Sequence, residues 1–279
     1  LTRAAADRLS THPKPLRDPK ALTCWNALLV IGFAEAHRSL PEKGYDQAAT
    51  SLLDTLLNTV WQNGAIAHQY LKDTAEGDGF LDDYSSFGQA LLEGFLLTGN
   101  SMYLERAHEL AERIERVFPF EGDFRVYTPS FEAAWQKQLE IEDNVIPSAN
   151  SMWAHFFQYL GVIADRNDWK EQAQLALRAV HSKVFRYGPN FSNWLELGLM
   201  RAYGAKELVI TGSGAKAAAE ELQRAHYQPG TLVLFSESAS ELAHFKGRVG
   251  HTLTYYLCSN NTCQLPTTDL NELLKLWKA

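Results

Sequence analysis

The chain has 279 residues, 46% of them hydrophobic and 21% charged, a composition that excludes disorder and provides for a sizeable core. A net charge of −7 excludes nucleic acid as the main partner, because phosphate contacts need clustered Lys and Arg. No apolar run reaches the roughly 18 residues of a membrane span, so no membrane partner is expected.

The first residues, Leu1-Thr2-Arg3-Ala4-Ala5-Ala6-Asp7, do not form a signal peptide and lack an initiating Met, so the chain reads as cut from something longer. Three cysteines, Cys24, Cys258 and Cys263, are too few for a disulfide scaffold, and a reducing, cytoplasmic setting is expected.

An internal repeat organises the first two thirds. Tyr45, Tyr103 and Trp169 are each followed four residues later by an alanine on the same helical face: Ala49, Ala107 and Ala173. Nineteen residues after each aromatic stands a glycine, Gly64, Gly122 or Gly188; nineteen before stands Asn26, Tyr84 or Asn150. Each frame predicts a strongly apolar helix (Trp25 to Ala36, Phe87 to Leu97, Met152 to Ala164), a polar or glycine break, and an amphipathic helix with a charged outer face. Inner and outer helical layers follow. Copies start 58 and 66 residues apart, which suits an α/α toroid rather than a common short solenoid. A fourth inner helix is expected from Phe191 to Tyr203. The linkers Ala65 to Tyr70 and Asp123 to Tyr127 alternate as short strands do.

This frame brings Cys24-Trp25-Asn26-Ala27, Asp82-Asp83-Tyr84-Ser85 and Ser148-Ala149-Asn150-Ser151 to one rim, at the starts of successive inner helices. Helix starts carry unpaired N–H groups that attract polar and anionic ligands, and Asp, Ser and Asn are also the preferred caps there. Three hairpins are half of what a closed toroid needs. An apolar flank is left for the missing N-terminal half or another chain to cover.

From Lys206 the pattern changes. Glu207 to Thr211 reads as a strand, Ala215 to Ala225 as a helix, Thr231 to Phe235 as a second strand, Thr252 to Cys258 as a third, and Leu270 to Trp277 as a closing helix. The expected unit is β-α-β with a small parallel sheet and right-handed crossover. Two domains follow, 1–204 helical and 205–279 α/β. Gly212-Ser213-Gly214-Ala215-Lys216-Ala217 fits a dinucleotide-binding turn, with Glu237 after the second strand, although a tight turn that needs glycine explains it as well. The four-residue gap between Cys258 and Cys263 suits neither zinc nor a thioredoxin-type redox site. It reads as a structural turn with buried or reversibly bonded thiols, and neither metal nor cofactor is expected.

Four segments carry a family resemblance: Arg17 to Leu28 (RDPKALTCWNAL), Gly79 to Tyr84 (GFLDDY), Asp143 to Ser151 (DNVIPSANS), and Tyr256 to Pro266 with its two cysteines. In order and across nearly the whole chain they resemble a thioredoxin-domain-containing family of unknown function, the spermatogenesis-associated thioredoxin-domain proteins. The resemblance implies a mainly α fold. It would be the second half of a six-hairpin glycosidase-like toroid, similar to sugar 2-epimerases and glycoside hydrolases, followed by the small α/β tail. The family's thioredoxin-like domain and early hairpins have no counterpart here. Pro19 stands where the family has Asp, and Ala27, Asn144 and Ala149 stand where it has glycine, which implies a rim backbone standing further from any ligand.

The expected function is therefore action on a sugar-like small molecule, by isomerisation, epimerisation or hydrolysis. The catalytic candidates are His68, Asp82, Asp83 and Asp143, with Glu142 as a further carboxylate; the substrate-binding candidates are Trp25, Asn26, Tyr84, Ser148 and Asn150. The helix dipole predicts low pKa values for Asp82 and Asp83, which suits a base or nucleophile better than an acid. The alternatives are a non-catalytic scaffold serving a thioredoxin-like partner domain, and nucleotide binding at the Gly212 turn.

Overall fold

A computed structural model describes residues 18–72, 74–129, 138–202, 206–226, 230–238, 242–259 and 262–278. The amino-terminal segment, Arg17 of the first motif, Tyr203 and the expected domain boundary at 204/205 lie outside the described residues.

Three helical hairpins follow one another: α1 (Thr23–Ser39) with α2 (Tyr45–Thr59), α3 (Leu81–Thr98) with α4 (Ser101–Val117), and α5 (Ala149–Ile163) with α6 (Asn167–Arg186). Helix α7 (Ser192–Ala202) comes next. The first helix of each hairpin packs against the first helix of the next, so α1, α3, α5 and α7 form an inner layer and α2, α4 and α6 an outer one. The sequence dictates this division. Residues are buried nearly all round α3 and α5, whereas α4 buries one stripe, Tyr103, Leu104, Ala107, Leu110, Ala111 and Ile114.

The frame residues act at the contacts. Ala49, Ala107 and Ala173 are fully buried between layers, where a larger side chain would push the helices apart. The Tyr103 hydroxyl donates to Asp54 Oδ1 at 2.7 Å, tying α4 to α2. Gly88 lets α3 and α5 close up, since a Cβ there would stand 2.5 Å from the Phe156 ring. Helix α3 stops at Gly99, which adopts the left-handed conformation.

The expected strand after Gly64 is β3 (Ala65–Leu71), flanked by β1 (Ala21–Leu22), β2 (Trp61–Gln62) and β4 (Thr74–Asp78), all antiparallel to it. After Gly122 the strand shortens to β6 (Phe124–Arg125), paired with β5 (Phe120–Glu121). After Gly188 a 3₁₀ turn, Gly188–Phe191, leads straight into α7.

The C-terminal third contains β7 (Lys206–Thr211), α8 (Ala215–Ala225), β8 (Thr231–Ser236), β9 (Thr254–Ser259), β10 (Thr262–Cys263) and α9 (Leu270–Lys278). The sheet order is β10-β9-β7-β8. Strands β7 and β8 are parallel as expected, but β9 runs antiparallel to β7, so the sheet is mixed rather than parallel. Alternation divides its faces. Leu208, Ile210 and Val233 pack with α8 and α9, while Val209, Leu232 and Leu234 join the core of the helical layers. The sheet thus lies against the inner helices. Cys258 and Cys263, directly opposite across β9 and β10, form a disulfide; Cys24 is free and buried. Among the described residues, no helix is long and apolar enough to cross a membrane.

Candidate functional site at the helix starts

Hydrogen bonds join the starts of the inner helices into one rim. The Cys24 N–H at the start of α1 donates to Asp83 Oδ1 at 2.9 Å, and the Phe80 N–H at the start of α3 donates to Asp83 Oδ2 at 3.0 Å. The start of α3 is held in turn by Leu81 N–H donating to the Tyr127 carbonyl. Further round, Ser148 N–H and the Ser151 hydroxyl, at the start of α5, both donate to Asp143 Oδ1 at 2.9 and 2.8 Å. The Asn193 N–H, at the start of α7, donates to Asp143 Oδ2 at 2.9 Å. Two buried aspartates therefore each bridge the starts of neighbouring inner helices, where orphan N–H groups need acceptors.

The frame's polar residues pin the linker strands beneath this rim. Tyr84 Oη accepts from Ile66 N–H at 3.2 Å. Asn150 brackets Arg125, accepting from its N–H at 2.8 Å and donating to its carbonyl at 3.0 Å. Asn26 donates to the Leu22 carbonyl, and the Ser148 hydroxyl to the Ile141 carbonyl. Trp25 stands mostly exposed beside Cys24. Glu142 points to solvent.

The chemistry of the rim gathers around Asp83. His68 Nδ1 lies 2.8 Å from Asp83 Oδ2, and this hydrogen bond to a fully buried carboxylate raises the imidazole pKa. The His68 side chain is 29% exposed, so the group that Asp83 orients is itself open to solvent. Phe80 connects it to Tyr127: His68 meets the Phe80 ring edge-on at 5.0 Å, and Phe80 stacks on Tyr127 at 5.1 Å. The Tyr127 hydroxyl is hydrogen-bonded to Asp82.

Asp82 departs from the sequence expectation. The helix dipole favours a charged carboxylate there, but burial and the adjacent Asp83 charge outweigh it and push Asp82 up to about 7. Its surroundings thus favour the protonated carboxyl, the property of an acid rather than of a simple base. Burial also raises the Cys24 thiol, which stays neutral. Among the described residues, no group of three or more His, Cys, Asp or Glu is arranged to hold a metal ion.

The Gly212 turn is shaped by its own backbone. Gly212 has φ +98°, and a Cβ there would stand 2.3 Å from the Thr252 carbonyl oxygen. Gly214 has φ +81°. Glu237 Oε1 lies 3.4 Å from the Lys216 N–H in the first turn of α8, so a carboxylate faces the position a phosphate would take.

Sequence reasoning missed a second group. Nine residues into each frame stand Glu35, Glu93 and Tyr159, on the side of the inner helices away from the outer layer, near Arg38, His155 and Glu196. Their shared frame position is the signal that could have found them.

Fold and rim together define a helical-hairpin protein with titratable side chains gathered where its inner helices begin. No protein-family model matches the chain. The GH76 α-mannanase from Bacteroides thetaiotaomicron aligns at a TM-score of 0.50 with 13% identity, over 62% of this chain and 48% of that one, a likeness of fold. In sequence the chain is similar to spermatogenesis-associated protein 20 of Homo sapiens, 24% identical, and of Mus musculus, 26% identical. Each match covers 95% of this chain and 37% of the relative, so the chain spans little more than a third of their length.

Proposed function

We propose that the rim is a carbohydrate site that moves a proton on a sugar carbon, as an isomerase or epimerase does, with His68 and Asp82 as the acid–base pair. The single observation that carries this reading is Asp82 held near pKa 7 beside an exposed imidazole oriented by Asp83. Proton transfer at a carbon next to a carbonyl needs an acid and a base that can exchange roles; Asp82 is pushed up to about 7 by burial and the Asp83 charge, and His68 is raised above its ordinary value by the Asp83 hydrogen bond. Hydrolysis needs two carboxylates free to face the substrate. Asp83 and Asp143 have both oxygens taken by the protein, which favours proton transfer. Trp25 supplies an exposed ring on which a sugar face stacks.

The three hairpins and α7 belong, on this reading, to a larger six-hairpin toroid. Exposed Leu29 on α1, and Leu195 and Leu199 on α7, are the edges that further hairpins of a longer protein cover. The saturated Asp83 and Asp143 also support a second reading, a non-catalytic scaffold of a thioredoxin-domain-containing protein in which both aspartates serve only to clamp helices.

Incubation with aldoses and ketoses in deuterated water separates the two. The catalytic reading expects deuterium to enter the sugar beside its carbonyl, with loss of exchange in Asp82→Asn and in His68→Ala. Exchange with no sugar, alongside saturable binding of a protein partner, would favour the scaffold.

A further inference from the structure

Cys258 on β9 has a facing residue on each side: Cys263 of β10 and Glu207 of β7. Residues opposed across antiparallel strands point to the same face, so Glu207, Cys258 and Cys263 form one row across the sheet. The four-residue gap is wider than that of a thioredoxin-type motif, but the β9–β10 hairpin closes it and the two sulfurs bond.

The two sulfurs stand in different surroundings. Cys258 is 3% exposed, whereas Cys263 lies exposed on the edge strand β10. Burial closes Cys258 to an attacking or departing molecule, which leaves Cys263 as the point of entry. The Arg248 guanidinium Nη2 lies 3.5 Å from Cys263 Sγ. Arg248 is held on two sides: its carbonyl accepts from the Thr211 hydroxyl at 2.9 Å, and its guanidinium packs over the Tyr256 ring at 5.0 Å. A cation fixed beside a sulfur favours the thiolate, the reactive form of a cysteine.

The buried sulfur has a different neighbour. Glu207, opposite Cys258, has its Oε2 2.9 Å from His244 Nε2. A carboxylate accepts, so Nε2 carries the hydrogen and Nδ1 is a lone pair able to take a proton. That Nδ1 is buried with no hydrogen-bond partner among the described residues.

We propose that Cys263 and Cys258 form a thiol–disulfide exchange site, with Cys263 as the attacking sulfur, Cys258 as the resolving one, and small organic disulfides and dithiols as co-substrates. In the reduced chain the Cys263 thiolate attacks a disulfide RSSR; a Cys263–SR bond forms and one RS⁻ leaves. Cys258 then gives its proton to the Glu207–His244 pair and attacks Cys263 Sγ. The Cys258–Cys263 bond forms and the second RS⁻ leaves. Two electrons pass from the cysteine pair to RSSR, and the released proton goes on to one of the RS⁻ groups. A dithiol reverses these steps and is itself oxidised to a disulfide, which restores the reduced pair.

Glutathione disulfide added to the reduced, folded 279-residue chain tests the proposal, with peptide mapping by mass spectrometry to locate each sulfur. The native chain gives the Cys258–Cys263 disulfide with release of reduced glutathione, and excess dithiothreitol opens it again. Cys258→Ser accumulates a glutathione adduct on Cys263. Cys263→Ser, with circular dichroism showing the chain folded, forms none on Cys258. Adding Arg248→Gln to Cys258→Ser slows adduct formation at pH 7 about threefold, because a thiolate fraction lowered about tenfold is partly offset by greater nucleophilicity. A disulfide that resists excess dithiothreitol in the folded chain, or that glutathione disulfide does not re-form, would overturn the proposal. So would an adduct on Cys258 as rapid as that on Cys263, or an unchanged rate with Arg248→Gln.

Discussion

Asp83 places Oδ2 2.8 Å from His68 Nδ1 and Oδ1 2.9 Å from the Cys24 nitrogen, so one buried side chain joins strand β3 to the starts of helices α1 and α3. Asp83→Ala leaves the Cys24 and Phe80 N–H groups without acceptors, at about 1–3 kcal/mol for each buried unmet group. A loss of about 3 kcal/mol or more in urea denaturation is expected, and a smaller one for Asp83→Asn, which keeps an acceptor oxygen.

The same pair sets a pH dependence. His68 has a folded pKa above its unfolded value of about 6.5, so its contribution to stability is complete below that pH. The contribution is lost as pH rises through the raised folded value. NMR titration of His68 in the native chain is expected to give a pKa above the ordinary 6.5. In Asp83→Asn it falls, because the carboxylate hydrogen bond that favours the imidazolium is gone.

Asp82 acts in the same direction for the opposite reason. Its folded pKa of about 7 lies above the ordinary 3.8, so the fold favours the protonated acid. Stability is complete below about pH 4 and declines as pH rises towards 7. Asp82→Asn removes the penalty. The variant melts at higher temperature than the native chain at pH 8, and the difference shrinks at pH 4 as the native carboxyl takes up its proton. Equal melting at both values would mean that Asp82 is not desolvated.

Two glycines separated by Ser213 should respond differently. Gly212→Ala meets both a left-handed backbone and the Thr252 carbonyl at 2.3 Å, and is expected to cost about 3 kcal/mol. At Gly214 the added methyl enters open space and only the backbone strain remains, about 1 kcal/mol. Chemical denaturation of both variants checks the order. Addition of a dinucleotide is expected to leave the native melting curve unchanged, because Glu237 faces the start of α8.

The repeat was legible because spacing is a property of sequence: equal separations around Tyr45, Tyr103 and Trp169 bring equivalent residues to equivalent places. Asn26, Tyr84 and Asn150 do stand at the starts of inner helices, yet the spacing gave no account of their hydrogen-bonding roles. Asp82 and Asp83 are neighbours with the same helix-start signal. Only the fold distinguishes them, through the Tyr127 segment that packs over one and the backbone donors that saturate the other. The antiparallel return of β9 was hidden because the strand's own composition does not encode its direction. Glu35, Glu93 and Tyr159 were overlooked because inner helices are apolar on several faces, so the face turned from the outer layer does not stand out.

The most direct test of the acid–base rim is the titration of the Asp82 side-chain carboxyl, followed by carbon-13 NMR in the native chain. The account predicts a midpoint near 7, shifted downward in Asp83→Asn where the neighbouring charge is removed. A midpoint near 3.8, unmoved by that substitution, would contradict it.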